Sequence, residues 1–292
     1  MEIKNIGLVL EGGGMRGAYT SGVLAALMDN NIKFPYIIGV SAGANNGANY
    51  VAEQRDRNKK VFVDYVSHKD YSGLKHLIKG KSYFNMDFLF HTLPNKLVPF
   101  DYETFFNSET IFKICVTDCS TGEATYLEKS YAKGKGKEFI NKIFRASSSL
   151  PILSPPVEIE GRLYYDGGIS DSIPLKKSME DGNRYNVLIL TRDKDYRKKE
   201  QVLGPYSKRQ LKKYPQILEA IKSRHIRYNA ILETIERLEK EGQVYVFRPI
   251  EPIRISRLER DKVKLEKLYQ QGYRETMDQM DKFLDWISKH DI

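Results

Sequence analysis

A serine between two glycines, Gly39-Val40-Ser41-Ala42-Gly43, is the first group in this chain that could act as a nucleophile. An aspartate followed by two glycines, Asp166-Gly167-Gly168, is the first that could take a proton from it. A third segment, Gly12-Gly13-Gly14-Met15-Arg16-Gly17, lets several backbone N–H groups point into one small space. Such a nest binds an oxyanion or a phosphate. A hydroxyl, a base and a set of donors aimed at an oxygen are the parts of a nucleophilic acyl transfer.

Each part needs a particular setting. The G-x-S-x-G follows an apolar strand, PYIIGV, and precedes a run of small helical residues, which is the strand–turn–helix context of a nucleophile elbow. The glycines relieve crowding in that turn, and the helix N-terminus behind it favours developing negative charge. The glycine segment also fits G-x-G-x-x-G through Gly12, Gly14 and Gly17. A dinucleotide site, however, wants an acidic residue at the end of the next strand, and that strand ends at Gly39-Val40-Ser41. It is not a phosphate-binding Walker loop either, because Ala18 and Tyr19 follow Gly17. An oxyanion hole fits better. For the base, the histidines are His68, His76, His91, His225 and His290, and none sits at a strand end or in a glycine-punctuated loop. His225 follows Ile217 and Ile221 at helical spacing, so a Ser–His–Asp triad through it is the weaker alternative. Asp166, at the end of the strand Arg162–Tyr165, is the better base.

The three segments GGGMRG, GVSAG and DGG, in that order, resemble the signature of the patatin-like phospholipase family. The stretch Arg145–Pro156, RASSSLPILSPP, resembles a family segment that precedes the aspartate. The likeness covers roughly residues 5 to 195. Beyond Val244, RPIEPIRISRLERD resembles, more weakly, the C-terminal extension of a bacterial subgroup. The resemblance implies Ser41 and Asp166 as a catalytic dyad, Gly12, Gly13, Gly14 and Arg16 as oxyanion-loop and substrate-binding positions, and hydrolysis of lipid acyl esters through an acyl-enzyme. It implies no cofactor and no metal. Arg16 either contacts a lipid phosphate or holds its loop by capping local carbonyls. A thioesterase or transacylase built on the same dyad, and a non-enzymatic lipid- or anion-binding module, remain open at this point.

The elements that must position these groups alternate between strand and helix. Ile6–Leu10, Tyr36–Val40, Ile111–Thr117, Ala124–Leu127, Val187–Thr191 and Val244–Phe247 read as strands, and Val157–Ile159 with Arg162–Tyr165 as a tight hairpin. Helical spacing marks Ala18–Met28, Ala42–Ala52, Val61–Val66, Pro215 to Lys240, and one or two amphipathic helices between Arg257 and Lys289. This pattern predicts a three-layer α/β/α sandwich with a mostly parallel sheet. The expected organisation is a catalytic domain over 1–200 and a mostly helical extension over 201–292. Tyr71 to Phe106 carries aromatics without a clean period and reads as a cap or wall. Within it Phe84, Phe88, Leu89, Phe90, Phe100, Phe105 and Phe106 are either core or the lining of an acyl pocket.

The bulk numbers leave this reading intact. A chain of 292 residues with 41% hydrophobic and 29% charged residues is an ordinary globular composition. Two cysteines, Cys115 and Cys119, are expected as free thiols in a reducing compartment. No apolar run approaches the length of a transmembrane helix, and the apolar run at Ile6–Leu10 is too short for a secretion signal; a cytoplasmic protein, peripheral at a membrane, is expected. The net charge is +9, concentrated between Arg192 and Lys213. Tyr196, Leu203, Tyr206 and Leu211 interleave this run, which suggests contact with an anionic membrane. No nucleic-acid module is visible, and the sequence does not fix an oligomeric state.

Overall fold

The computed structural model describes residues 3–80 and 82–291. Its centre is strand β1, Ile6–Leu10, every residue of which is buried. Such a run is what a parallel strand covered on both faces requires. β1 pairs in parallel with β2, Tyr36–Val40, on one side and with β7, Tyr185–Ile189, on the other. Parallel pairing continues from β2 to β3, Ile111–Asp118, and from β7 to β8, Val244–Phe247. The remaining strands are antiparallel: β4, Ala124–Glu128, and β6, Arg162–Asp166, both pair with β3, and β5, Val157–Ile159, pairs with β6. The sheet order is β5-β6-β3-β2-β1-β7-β8, with β4 beside β3.

The two faces of β1 feed two cores. Leu8 and Leu10 pack with helix α1, Gly17–Asp29, and with the C-terminal helices, while Val9 packs with Tyr228, Leu232 and Ile235 of the long helix Pro215–Lys240. Full burial of each such side chain contributes roughly 1.5–3 kcal/mol. The sheet is thus the middle of three layers, as the alternation of elements predicts.

Residues beyond 200 are built onto the same framework. β8 extends the sheet past β7, and helix Lys262–Met277 lies along α1. Their closest approach is at Gly22 and Gly272: a Cβ on Gly22 would lie 2.0 Å from Tyr269 O, and one on Gly272 would lie 2.3 Å from Tyr19 O. No other residue fits at either point without parting the helices. The final helix, Met280–His290, follows after a short break. Among the described residues no helix is long and apolar enough to cross a membrane.

The wall between β2 and β3 is less regular than Val61–Val66 suggests. Lys60–Asp64 and Phe88–Leu97 are wound as π-type turns, the latter around Pro94. Helices at Lys129–Ala132, Lys137–Ser147, Leu175–Glu180 and Pro205–Leu211 escape the sequence reading.

The site elements meet at one edge. From β1 the chain winds outward through β2 and β3, then returns to β1's other side as β7. The carboxyl ends of β1, β2 and β7 therefore border the point where the winding reverses, which is where open α/β sheets form ligand crevices.

Candidate active site

Ser41 lies between β2 and helix α2, Ala42–Val51, with φ 53° and ψ −120°. That left-handed backbone costs a non-glycine residue roughly 1–3 kcal/mol. The surroundings hold it there. The Ser41 amide donates to Ser147 Oγ at 2.8 Å, and Ser147 Oγ donates in turn to Cys115 O of β3 at 2.7 Å. Ser41 O accepts from the Asn45 amide at 3.1 Å and from Asn45 Nδ2 at 2.8 Å.

Asp166 closes β6, and its position is fixed from both sides. Its amide donates to Ser149 O at 2.8 Å, and its Oδ1 accepts from the Gly168 amide at 2.8 Å. Its other oxygen, Oδ2, is buried and has no aligned hydrogen-bond partner among the described residues. The Ser41 hydroxyl nevertheless lies near enough to favour the carboxylate. Both groups line one recess, and catalytic hydrogen bonds commonly tighten only when substrate binds. Burial raises the Asp166 pKa above the usual carboxylate range; Ser41, the Gly168 amide, Arg224 and Arg257 each oppose that rise.

The glycine turn after β1 faces the same recess, which Gly12, Gly13, Gly14, Arg16, Ser41 and Asp166 all line. The Gly12 amide is committed to Ser172 O at 3.3 Å, and the Met15 amide to Arg257 O at 3.2 Å. Gly13 and Gly14 amides have no partner among the described residues. Gly14 has φ +57°, and a Cβ on it would lie 2.6 Å from Arg257 O. Arg16 is buried beneath the turn with its Nε unpartnered, and no hydrogen bond from it caps a local carbonyl among the described residues. Burial, then Arg192, pushes its pKa down to about 10.

On the opposite side of Ser41 opens an apolar cavity of about 110 Å³. Phe84, Leu89, Phe90 and Phe100 line it, with Ala48, Met86 and Phe144. Phe88 and Phe105 belong to the core, and Phe106 packs against that core away from this cavity. The aromatic wall thus divides between the two roles.

Residues 8–177, more than half of the chain, match the family model described as patatin-like phospholipase. The chain belongs to the patatin-like phospholipase family. Residues 214–288 match a second model, a domain of unknown function designated DUF6363. The Escherichia coli protein YjjU, described as uncharacterized, is 30% identical over 191 residues, which is 64% of this chain and 52% of its own length. Lysophospholipases of Aspergillus terreus and Coccidioides immitis are 30% identical over 175 and 178 residues, covering 58% and 60% of this chain. The match spans only 11% of either fungal protein. Among solved structures, VipD from Legionella pneumophila superposes with a TM-score of 0.53 at 14% identity, over 95% of this chain and 67% of that one. That likeness concerns the fold alone.

Within the patatin-like segment, three consecutive serines carry more than their sequence shows. Ser147 holds the Ser41 amide, Ser148 Oγ accepts from Asn45 Nδ2 at 3.0 Å, and Ser149 O holds the Asp166 amide. Their signal was the SSS run before a proline in RASSSLPILSPP, and only the fold reveals that it ties both halves of the site. His225 lies on the long helix with Nδ1 2.9 Å from Lys222 O, and it lines a groove beyond the recess rather than the recess with Ser41. Cys115 and Cys119 are both free and buried. Arg192, Lys198, Arg224 and Arg257 also line the recess. Sequence reasoning placed the first two in a surface run and gave the others no role. No local motif marks them, since they come from segments far apart in the chain.

Proposed function

We propose that this chain is a serine acyl hydrolase that cleaves acyl esters of lipids, phospholipid or lysophospholipid, through Ser41 and Asp166. The observation that carries this reading is a strained serine at the junction of two spaces. On one side it faces a buried carboxylate with a free oxygen; on the other it opens to an apolar cavity. An apolar cavity with a few convergent polar groups is the usual form of a small-molecule site.

In the reaction Asp166 Oδ2 takes the Ser41 proton as Oγ attacks the ester carbonyl. The Gly13 and Gly14 amides stabilise the tetrahedral oxyanion, whose collapse expels the alcohol portion with a proton from Asp166. Water then attacks the acyl-enzyme, giving up its proton to Asp166, and Ser41 leaves as the restored hydroxyl while the fatty acid departs. The raised Asp166 pKa suits this role, because a base closer to neutrality takes a hydroxyl proton more readily.

Covalent labelling tests the assignment. A fluorophosphonate probe mapped by peptide sequencing should modify Ser41, and lipid esters should block the labelling. Modification of another serine, or none at Ser41, would remove the nucleophile from this account.

A further inference from the structure

The recess beside Ser41 has a strongly cationic wall. Arg16 enters it from the glycine turn, Arg192 and Lys198 from the stretch after β7, Arg224 from the helix Pro215–Lys240, and Arg257 from the loop before Lys262–Met277. Two carboxylates share the space against the five cations. Glu11 Oε1 accepts from the Tyr228 hydroxyl at 2.6 Å; its Oε2 accepts from the Thr191 amide at 2.6 Å and the Thr191 hydroxyl at 3.0 Å. Asp166 Oδ1 is held by Gly168. Among the described residues none of the five cations forms an ion pair.

Their own hydrogen bonds and ring contacts go to neutral groups, and the charges of Glu11 and Asp166 offset only part of the positive charge. Arg224 Nη2 donates to Ser172 Oγ at 3.2 Å. Arg192 Nη1 donates to Ile253 O at 3.3 Å, and its guanidinium lies 4.4 Å from the Tyr196 ring centre. Lys198 Nζ sits 4.2 Å from the Tyr228 ring centre. The Nε atoms of Arg16, Arg192 and Arg224 are buried without a partner among the described residues. Burial, and next the charge of Arg224, push the Lys198 pKa down to about 7. Cations gathered this closely raise one another's cost, and an anion that enters among them relieves it.

Position decides what anion fits. Ser41, Gly14 and Leu150 line both this recess and the apolar cavity. An acyl chain in the cavity therefore leaves the alcohol portion of the ester pointing at the cations. The recess is narrow, which leaves no room for a second acyl chain. A phosphate monoester carries a charge of about −1.5 to −2 near neutrality and three acceptor oxygens. Guanidinium forks match those oxygens in geometry as well as charge. Because the cations adjoin Ser41, the phosphate must lie a few bonds from the scissile ester. A glycerol backbone keeps it there, whereas the long pantetheine arm of an acyl thioester carries its phosphates away. A phosphocholine headgroup would bring a quaternary ammonium against the cationic wall.

We propose that this recess is a phosphate-monoester subsite, and that the preferred substrate is a monoacylglycerol phosphate with its chain in the apolar cavity and its terminal phosphate against the five cations. The proposal rests on Ser41 as the nucleophile for its hydrolytic part and on the recess alone for its binding part. Four of the five cations lie beyond residue 177, outside the patatin-like match, and Arg224 and Arg257 fall in the segment 214–288. The C-terminal region thereby acquires a role in choosing the headgroup.

Monooleoylglycerol phosphate and monooleoylglycerophosphocholine, each as monomers, would be compared as substrates of the full chain. The expected preference in kcat/KM for the phosphate is at least about tenfold, the scale of one lost charge-assisted contact. In Arg257→Gln and in Lys198→Gln that ratio should fall to within about twofold, and Arg257→Lys should recover part of it. Calorimetric binding of both lipids to Ser41→Ala protein gives the same comparison without hydrolysis, so a failure of the nucleophile assignment is read separately. Equal binding of the two lipids, or a ratio that both Gln variants leave intact, overturns the subsite. Inorganic phosphate that binds in an Arg257-dependent way, with no preference between the lipids, would make the recess a free-phosphate site and overturn its role in substrate choice.

Discussion

The Gly168 amide donates to Asp166 Oδ1 at 2.8 Å, which leaves Oδ2 as the oxygen free to receive a proton. The carboxylate's titration follows from this arrangement. Burial raises its pKa, and Ser41, Gly168, Arg224 and Arg257 pull it back down. Only the ionised form can act as base, so kcat/KM falls as pH drops through a value above the ordinary aspartate figure of about 3.9. Arg224→Gln removes a charge that favours the ionised form. The acid limb of the pH profile should therefore move to higher pH. A neutral nitrophenyl ester is the substrate for this measurement, because its own charge does not change. A limb that stays put or moves down would detach Arg224 from the Asp166 carboxylate.

Ser41→Ala should lower ester hydrolysis by at least about 10³-fold while the thermal transition stays in place, and Asp166→Asn should be nearly as damaging. His225→Ala should leave the rate within about twofold, since His225 faces the Lys222 carbonyl and not the recess. The order of the two losses separates a dyad from a triad. A dead His225 variant with an active Asp166 variant would reverse the base assignment.

The sheet and the nearest parts of the site were legible because short-range chemistry dictates them. The runs Ile6–Leu10, Tyr36–Val40 and Val244–Phe247 match their strands residue for residue, since each is apolar throughout and bounded by turn residues. Pro215 opens its helix as an N-terminal proline does. Ser41 and Asp166 stood out through glycines that permit close turns. The π-type turns at Lys60–Asp64 and Phe88–Leu97 were hidden, because their apolar spacing is neither strand nor ordinary helix. The cationic wall was hidden for a different reason: the chain separates Arg16 from Arg257 by most of its length, and only the return of β7 and β8 to the sheet brings them together.

Ser147 is a positioning residue for the elbow. Its hydroxyl receives the Ser41 amide and donates to Cys115 O, so Ser147→Ala leaves two buried backbone groups unpaired. Each such group costs about 1–3 kcal/mol, and the thermal midpoint should drop by several degrees. The more telling readout is kinetic. Loosening the elbow displaces the hydroxyl from Asp166 without altering the apolar cavity, so kcat should fall while KM changes little. A rise in KM with kcat unchanged would mean that Ser147 serves the cavity instead.

The basic run after β7 divides into two populations with different fates. Arg192 and Lys198 turn inward to the recess, and Arg197 pairs with Glu236 at 2.6 Å. The interleaved apolar groups are also largely withdrawn: Leu203 and Leu211 are buried with Ile217, and Tyr196 packs on Tyr228. Expected as membrane contacts, these three are held in the fold by that packing. Lys194, Lys199, Lys208, Arg209, Lys212 and Lys213 remain exposed, along with Val202 and Tyr206. Each exposed cation near an anionic bilayer is worth about 1 kcal/mol, screened within a Debye length of about 8 Å at physiological ionic strength. The full chain should therefore co-sediment with phosphatidylserine-containing vesicles more than with phosphatidylcholine vesicles, and salt should weaken the difference. Changing Lys199, Lys208, Lys212 and Lys213 together to glutamate should abolish that preference. The monoacylglycerol phosphate selectivity should survive, since these lysines do not line the recess. Unchanged sedimentation of the fourfold variant would reduce the run to solvated surface.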